Sequence, residues 1–114
     1  MSTEKELGSK AFQEKDYHKA IEHFTRAIEE TPSDHTLYSN RSACYYNLGK
    51  SNPALEDANK CIELKPDWSR GFQRKANALH QQGNFDYAIA VYEEGLKLDP
   101  SNSQISQGLE KCRQ

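Results

Sequence analysis

Two arginines stand four residues apart in the stretch DWSRGFQRKA, which covers residues 67–76. In a helix, Arg70 and Arg74 would share one face, one turn apart, where like charges repel each other. Arg70 would also lie near the first turn, where the helix dipole favours anions. A guanidinium group matches a carboxylate with two parallel hydrogen bonds. The pair therefore predicts a groove for an anionic ligand, with a solvated helix surface as the alternative.

The bulk composition narrows the class of protein that could carry such a groove. The 114 residues suffice for one small domain, and the formal net charge of -2 argues against general binding of nucleic acid or membranes. The three cysteines form no C-x-x-C pair, and the four histidines form no H-E-x-x-H pattern. We therefore expect no metal, no cofactor and no catalytic residue. Without a membrane-spanning apolar run or a signal-peptide core, the expected compartment is the cytoplasm.

The sequence repeats itself with a period of 34 residues, at which Pro32, Pro66 and Pro100 recur. One further column marks a turn and holds Lys15, Gly49 and Gly83. Three other columns contain only small residues: Ala20, Ala54, Ala88; Gly8, Ser42, Ala76; and Ala27, Cys61, Gly95. The chain therefore divides into three repeats of about 1–34, 35–68 and 69–102, followed by residues 103–114.

Each repeat is predicted to form two helices, because its apolar residues recur at helical spacing and no segment alternates with the period of a strand. Small residues at matched positions would let the two helices approach closely. Stacking of successive pairs would bury the apolar face that one pair leaves exposed. Ile105 and Leu109 lie among polar residues in the last segment, as in a capping helix. The sequence thus predicts one all-α domain over residues 1–114, a curved α-solenoid of seven helices.

These columns resemble the tetratricopeptide repeat (TPR), a 34-residue helix–turn–helix unit. The segments LYSNRSACY (37–45), LEDANKCIELKPDWSRGFQRKANAL (55–79) and YEEGLKLDP (92–100) narrow the resemblance. They are similar to the N-terminal TPR domain of the stress-inducible Sti1/Hop family of Hsp70–Hsp90 organising co-chaperones. The resemblance implies a right-handed solenoid of three TPR motifs plus a C-terminal capping helix over about 103–114, and we expect a monomer.

The first helix of each pair lines the concave side of such a solenoid. Its exposed stripe, taken at three- and four-residue steps, carries the cations Lys5, Arg70 and Arg74 against a single carboxylate, Glu6. A net-acidic protein thus concentrates cations, amides and hydroxyls in one groove. That composition suits an extended acidic peptide. Charged donors bind its carboxylates, and side-chain amides such as that of Asn40 form hydrogen bonds with its main chain.

The resemblance implies a two-carboxylate clamp for the C-terminal Glu-Glu-Val-Asp of cytosolic chaperones. By the family's pattern, Lys5, Ser9 and Asn40 hold the terminal carboxylate. Arg70 holds the aspartate side chain, and Arg74 reaches further along the peptide. Ser9 stands where the family usually has asparagine. Its single hydroxyl on a shorter side chain predicts a weaker or water-bridged interaction with the terminal carboxylate of the peptide.

Phe12, Ala43 and Tyr46 are the candidates for shaping a pocket around apolar ligand side chains. Aromatic residues at helical spacing are also typical of a core, so core packing is the alternative for Phe12 and Tyr46. The predicted function is a co-chaperone adaptor, not an enzyme, that binds the tail of Hsp70 or Hsp90. Both tails end in the same four residues, so the choice between them depends on contacts upstream. The alternatives are a general TPR scaffold that uses its convex face and the targeting module of a larger phosphatase or prolyl isomerase.

Overall fold

A computed structural model describes residues 2–114, so Met1, the first residue of the predicted domain, lies outside the described residues. Residues 2–114 form seven α-helices and no strand, which confirms the predicted all-α class. The helices are α1 Glu4–Gln13, α2 Tyr17–Glu30, α3 His35–Asn47, α4 Ser51–Leu64, α5 Ser69–Gln81, α6 Phe85–Leu98 and α7 Ser103–Arg113. None of these helices is long and apolar enough to span a membrane.

Polar side chains fix where several of these helices begin. The Thr3 hydroxyl accepts a hydrogen bond from the Glu6 backbone N–H at 3.1 Å, and the Glu6 carboxylate accepts one from the Thr3 N–H at 3.1 Å. This reciprocal pair is a capping box at the start of α1. The side chains of Asp16, Asp34 and Asn102 accept backbone N–H groups in the first turns of α2, α3 and α7. The hydrogen bonds with Thr3 therefore hold the Glu6 carboxylate at the start of α1.

The turn inside each repeat contains a residue in the left-handed conformation at a matched position. The φ angle is 63° at Lys15, 76° at Gly49 and 83° at Gly83. In all three turns, the N–H of the following residue donates to the carbonyl five residues before it, at 2.9 Å. Glycine adopts this conformation without steric cost, whereas lysine does not. The 34-residue spacing of these three positions thus reflects one shared turn geometry. Lys15 adopts it with backbone strain.

Small residues allow the two helices of each repeat to approach closely. A Cβ atom added at Gly8 would lie 2.7 Å from the ring of Phe24, so no larger residue fits there without a shift. In the second repeat, the Ser42 hydroxyl donates to the Ala54 carbonyl at 2.8 Å, from α3 to α4. The alanines at positions 20, 54 and 88 are all fully buried. The small columns are therefore helix–helix contact surfaces.

The pattern of helix contacts defines a concave and a convex side. Each helix packs against its neighbours in the chain, and in addition α1 contacts α3, α3 contacts α5, and α5 contacts α7. Among the described residues, α2, α4 and α6 do not contact one another. The odd-numbered helices therefore line the inner side of a curved stack that measures 44 × 26 × 22 Å.

Candidate functional site

A groove of about 520 Å³ opens between the odd-numbered helices. It contains three cations and several side-chain amides, and no carboxylate of residues 2–114 lines it. Its lining residues are Phe12, Tyr46, Arg70, Gln73, Arg74, Asn77, His80, Tyr92, Gln104, Gln107, Gly108 and Lys111. A surface of this kind can bind a peptide through its carboxylates and its main chain.

A second cavity of about 190 Å³ lies between α1 and α3. Ser9, Phe12, Gln13, Phe24 and Asn40 line it. Phe12 lines both cavities, so they adjoin each other, and the larger one alone extends from α1 to α7. The structure therefore brings Ser9 and Asn40 together in a cavity that adjoins the groove with Arg70 and Arg74.

Arg74 is a half-buried cation of this groove that lacks an acidic partner. Its Nε donates to the hydroxyl of Ser39, a fully buried residue, at 3.3 Å. None of the carboxylates in residues 2–114 forms an ion pair with it. Burial and the neighbouring charge of Arg70 lower the pKa of Arg74 to about 10. A bound anion would offset both effects, so this position favours a negatively charged ligand.

Arg41 shows how the same fold treats a partly buried arginine that serves packing. Its Nε and one terminal nitrogen donate to the two carboxylate oxygens of Asp57, each at 2.8 Å, and the other terminal nitrogen donates to the Thr25 hydroxyl at 3.1 Å. The hydrogen bond with Asp57 raises the pKa of Arg41. The pair joins α3 to α4, and sequence reasoning did not identify it. Arg74 has no equivalent of Asp57 within the described residues.

Arg70 is exposed at the edge of the groove and stands over an aromatic ring. Its guanidinium carbon lies 5.4 Å from the centroid of the Trp68 ring, which in turn contacts the His35 ring edge-on at 4.7 Å. A cation–π contact stabilises a guanidinium group. This contact therefore partly offsets the repulsion between Arg70 and Arg74.

Lys5 lines neither cavity, and an acidic residue already contacts it. Its Nζ lies 3.0 Å from Oδ2 of Asp34, the residue that caps α3. Burial opposes ionisation of Asp34, but the hydrogen bonds from Thr36 and Lys5 outweigh it and lower the pKa of Asp34. The predicted charge balance of the face was wrong in this respect, because Glu6 is held in the capping box and Asp34 supplies the carboxylate near Lys5.

The three candidates for an apolar pocket separate in the structure. Phe12 and Tyr46 are half-buried and line the groove, and the Phe12 ring also packs edge-on against Tyr17 at 5.7 Å. Ala43 is only 3% exposed and lines neither cavity. Its carbonyl accepts a hydrogen bond from the Asn47 side chain at 2.8 Å. Ala43 is therefore a buried residue of α3 that contributes no surface to either cavity.

Sequence reasoning missed the contribution of α7, which it treated only as a cap. The apolar face of α7 does pack into the core through Ile105 and Leu109. Its opposite face supplies a second polar stripe to the groove, made of Gln104, Gln107, Gly108 and Lys111. These four positions follow the i, i+3, i+4, i+7 spacing of one helix face. That spacing is the signal from which the stripe could have been predicted.

Two of the three cysteine thiols lie away from the groove, in the core. Cys44 and Cys61 are fully buried, and burial raises the pKa of Cys44 to about 12 and that of Cys61 to about 11. Such thiols stay protonated and are poor nucleophiles. Within residues 2–114, no three His, Cys, Asp or Glu side chains are grouped so that they could hold a metal ion.

The sequence matches two family models that describe repeats of this kind. Residues 1–76 match "Serine/threonine-protein kinase BSK1-like, TPR repeats", and residues 69–102 match "Tetratricopeptide repeat". The chain belongs to the tetratricopeptide repeat family. As in the sequence-based prediction, the concave groove of this TPR domain is lined by the first helix of each pair, to which α7 adds its own stripe.

Two relatives confirm the predicted similarity of this TPR domain to the Hsp70–Hsp90 organising co-chaperones. The STIP1 homolog of Dictyostelium discoideum is 52% identical over 109 residues, which cover 96% of this chain and 19% of that protein. The Hsp70-Hsp90 organizing protein 3 of Arabidopsis thaliana is 50% identical over 109 residues, which cover 96% of this chain and 20% of that protein. The chain thus spans about a fifth of the length of these relatives.

A solved structure matches the whole fold. The second TPR domain of human RPAP3, in complex with the HSP70 peptide SGPTIEEVD, superposes with a TM-score of 0.92 at 31% sequence identity. The match covers 98% of this chain and 93% of that one. This chain therefore shares its arrangement of helices with a TPR domain that binds a peptide.

Proposed function

We propose that this TPR domain is a co-chaperone adaptor that binds the acidic C-terminal Glu-Glu-Val-Asp peptide of Hsp70 or Hsp90 in a concave two-carboxylate clamp. The observation that carries the proposal is Arg74, a half-buried guanidinium that no carboxylate of residues 2–114 neutralises. Support also comes from the name of the Arabidopsis relative and from the RPAP3 domain, whose bound peptide ends in the same four residues. The chain spans about a fifth of the length of these relatives, so the proposal for it is limited to binding one chaperone tail.

In the proposed complex, Ser9 and Asn40 hold the terminal carboxylate in the smaller cavity, and Lys5 joins them after it leaves Asp34. Arg70 binds the side chain of the terminal aspartate at the edge of the groove. Arg74 binds a carboxylate further along the peptide. The peptide then has its C-terminus near α1 and extends towards α7.

Charge-assisted hydrogen bonds supply most of the specificity in this arrangement, at about 1.5–3 kcal/mol each. Acidic side chains alone would attract a tail to the groove from solution, and added salt would weaken that attraction. A clamp differs from general attraction because it needs the free terminal carboxylate. A peptide without that carboxylate but with the same side chains therefore separates the two modes.

We also infer that the chain acts by binding and has no catalytic activity of its own. Its buried thiols are protonated, and the groove formed by the described residues holds amides, cations and aromatic rings. The proposed partners are the tails of Hsp70 or Hsp90, the proposed compartment is the cytoplasm, and the proposed state is a monomer. A phosphatase or prolyl isomerase assay on this chain should give no activity.

Calorimetry with the peptide SGPTIEEVD, as free acid and as C-terminal amide, tests the proposal. The amide removes one charge and presents an NH2 group to Lys5, which has donors only. We expect the amide to bind roughly tenfold to a thousandfold more weakly, which corresponds to about 1.4–4 kcal/mol. Equal affinity for the two peptides would contradict the clamp.

Two arginine variants test whether the groove is the binding surface. Arg74→Ala should weaken binding of the free-acid peptide by roughly 2–5 kcal/mol, because the partner carboxylate loses a desolvated cation. Arg26→Ala is the matched control, since Arg26 is an exposed arginine of α2 outside the groove. Unchanged binding in a folded Arg74→Ala variant would favour the convex-face scaffold.

A further inference from the structure

One asparagine of the groove has a side-chain amide whose orientation the fold fixes. Asn77 lies on α5, three residues after Arg74, and lines the groove in a half-buried position. Its Oδ1 accepts a hydrogen bond from the hydroxyl of Tyr92, which lies on α6. Because a hydroxyl that donates needs an acceptor, the amide oxygen points towards Tyr92 and the NH2 group points away from it.

The NH2 group of Asn77 is available to a ligand. It donates to no acceptor among residues 2–114. In that part of the chain, Gln73 Oε1 is the only enclosed side-chain nitrogen or oxygen that lacks a partner, so the Asn77 nitrogen is accessible from the groove that the residue lines. A donor that is already oriented loses little side-chain freedom on binding, and it therefore favours one acceptor position.

The contacts of this amide place it at the junction of α5 and α7. Gly108 of α7 lines the same groove, and a Cβ atom added there would lie 2.7 Å from the Tyr92 hydroxyl oxygen. The absence of a side chain at Gly108 thus leaves room for the hydroxyl that orients Asn77. Arg74, in contrast, donates to Ser39 of α3. On the same helix, Arg74 therefore faces α3 and Asn77 faces α7.

The repeat makes Asn77 the counterpart of Ser9, because the two positions are 68 residues apart, which is twice the period. Ser9 lies with Asn40 in the cavity between α1 and α3. The member of this column in the second repeat, Ala43, is buried and has no side-chain donor. The column thus provides a polar donor at the first and at the last junction between odd-numbered helices.

The surroundings of Asn77 indicate which acceptor would fit. Arg70, Arg74 and Lys111 line the groove, and these charged donors bind carboxylates more strongly than a neutral amide does. A neutral amide donor matches a main-chain carbonyl, and an extended peptide offers one carbonyl at every residue, whatever its side chains are.

We propose that Asn77 Nδ2 donates a hydrogen bond to a main-chain carbonyl of the bound tail, at or N-terminal to the residue whose carboxylate contacts Arg74. The inference rests on the proposed function and deepens it, because it gives the α7 end of the groove a contact with the peptide main chain. Tyr92 is a positioning residue, since its hydroxyl holds the amide oxygen of Asn77.

Two changes at the same peptide bond of SGPTIEEVD isolate a carbonyl acceptor. An ester in place of the amide removes the N–H and weakens the carbonyl as an acceptor, whereas N-methylation removes the N–H alone. At one bond, we expect the loss of affinity caused by the ester to be about two- to fivefold smaller in Asn77→Ala than in the native chain, because part of one neutral hydrogen bond is at stake. The loss caused by N-methylation of that bond should be the same in both proteins.

The unmodified peptide supplies the matched control. Asn77→Ala should weaken binding of SGPTIEEVD about two- to twelvefold, the effect of losing one neutral hydrogen bond. Asn59→Ala should leave binding unchanged, since Asn59 is an exposed asparagine of α4 outside the groove.

Tyr92→Phe tests the positioning role and keeps the aromatic ring. It should weaken binding in the native background and have no further effect in Asn77→Ala, whereas a purely structural role would weaken binding equally in both. The ester effect should also shrink in Tyr92→Phe, so the test does not depend on the folding of a single variant.

The outcomes separate this inference from the proposed function. If SGPTIEEVD binds and depends on Arg74, but no ester effect depends on Asn77, the clamp stands and the role of Asn77 is overturned. That role is also overturned if a glutamate-to-glutamine change in the peptide abolishes the effect of Asn77→Ala, because a carboxylate is then the acceptor. If binding depends on neither Arg74 nor Asn77, the proposed function and the inference both fail.

Discussion

Lys5 and Asp34 form an ion pair, with 3.0 Å between Nζ and Oδ2, at the end of the groove where the clamp would begin. The carboxylate of Asp34 is also the cap of α3, because it accepts the Thr36 backbone N–H at 3.0 Å. A ligand carboxylate that reaches Lys5 must therefore compete with a carboxylate that the fold itself places there. This competition lowers affinity for any tail that uses Lys5.

Asp34→Asn should release Lys5 and strengthen tail binding. Asparagine caps a helix about as well as aspartate, so α3 should keep its start. Because the pair is half-exposed, we expect a gain of only about two- to fivefold, in line with about 0.4–1 kcal/mol for exposed ion pairs. Calorimetry with SGPTIEEVD measures the gain. Asp16→Asn makes the same charge change at the cap of α2, and an equal gain there would contradict a local role for Asp34.

The sequence predicted the fold well because the same physical requirement recurs in each repeat. Close approach of paired helices needs small residues at fixed positions, and the left-handed turn favours glycine at Gly49 and Gly83. A requirement that appears three times with a period of 34 stands out from ordinary variation. The assignment of the odd-numbered helices to the concave side came from the resemblance to TPR solenoids, because the period alone does not say which helix of a pair faces inward.

The details of the site were harder to predict because they depend on the distance between side chains on different helices. The contact of Lys5 with Asp34 and the pairing of Arg41 with Asp57 follow from packing that no spacing rule specifies. Ala43 lies on the expected stripe, yet it is buried and lines neither cavity. These differences come from tertiary geometry, whereas the choice of helix face came from periodicity.

Arg41 and Arg74 should respond in opposite ways to replacement by methionine. Arg41→Met leaves Asp57 buried without its partner and should cost about 3–5 kcal/mol of unfolding free energy. Arg74→Met removes a charge that lacks a partner and keeps an apolar stem, so stability should be unchanged or rise by up to about 1 kcal/mol. Urea denaturation measures both values. A similar loss in the two variants would mean that Arg74 serves the fold and not a ligand.

Lys15→Gly should stabilise the first repeat. Lys15 has a φ angle of 63°, at the position where the other two repeats carry glycine. The left-handed conformation costs roughly 1–2 kcal/mol for a residue with a Cβ atom, and the added flexibility of glycine in the unfolded chain offsets part of the gain. We expect a net gain of about 0.5–1 kcal/mol by chemical denaturation.

Gly83→Lys provides the reverse test of the same turn. Its φ angle is 83°, and nothing lies within 4 Å of an added Cβ atom, so the backbone conformation alone should set the cost. A net loss of about 0.5–1 kcal/mol is expected, because the reduced flexibility of the unfolded chain offsets part of the cost of roughly 1–2 kcal/mol for the left-handed conformation. If Lys15→Gly and Gly83→Lys both left the free energy of unfolding unchanged, backbone strain at this turn position would be ruled out.

Ser9→Asn tests how the terminal carboxylate is held. Ser9 lines the smaller cavity beside Asn40, where the family usually places a second asparagine. An asparagine side chain offers two donors on a longer arm, whereas the serine hydroxyl offers one. We expect Ser9→Asn to bind free-acid SGPTIEEVD roughly ten- to 150-fold more tightly, the effect of one added hydrogen bond to a charged group at about 1.5–3 kcal/mol. The amidated peptide lacks that group, so its affinity should hardly change. Calorimetry on both proteins with both peptides gives four values, and a gain of equal size for the two peptides would place Ser9 outside the carboxylate site.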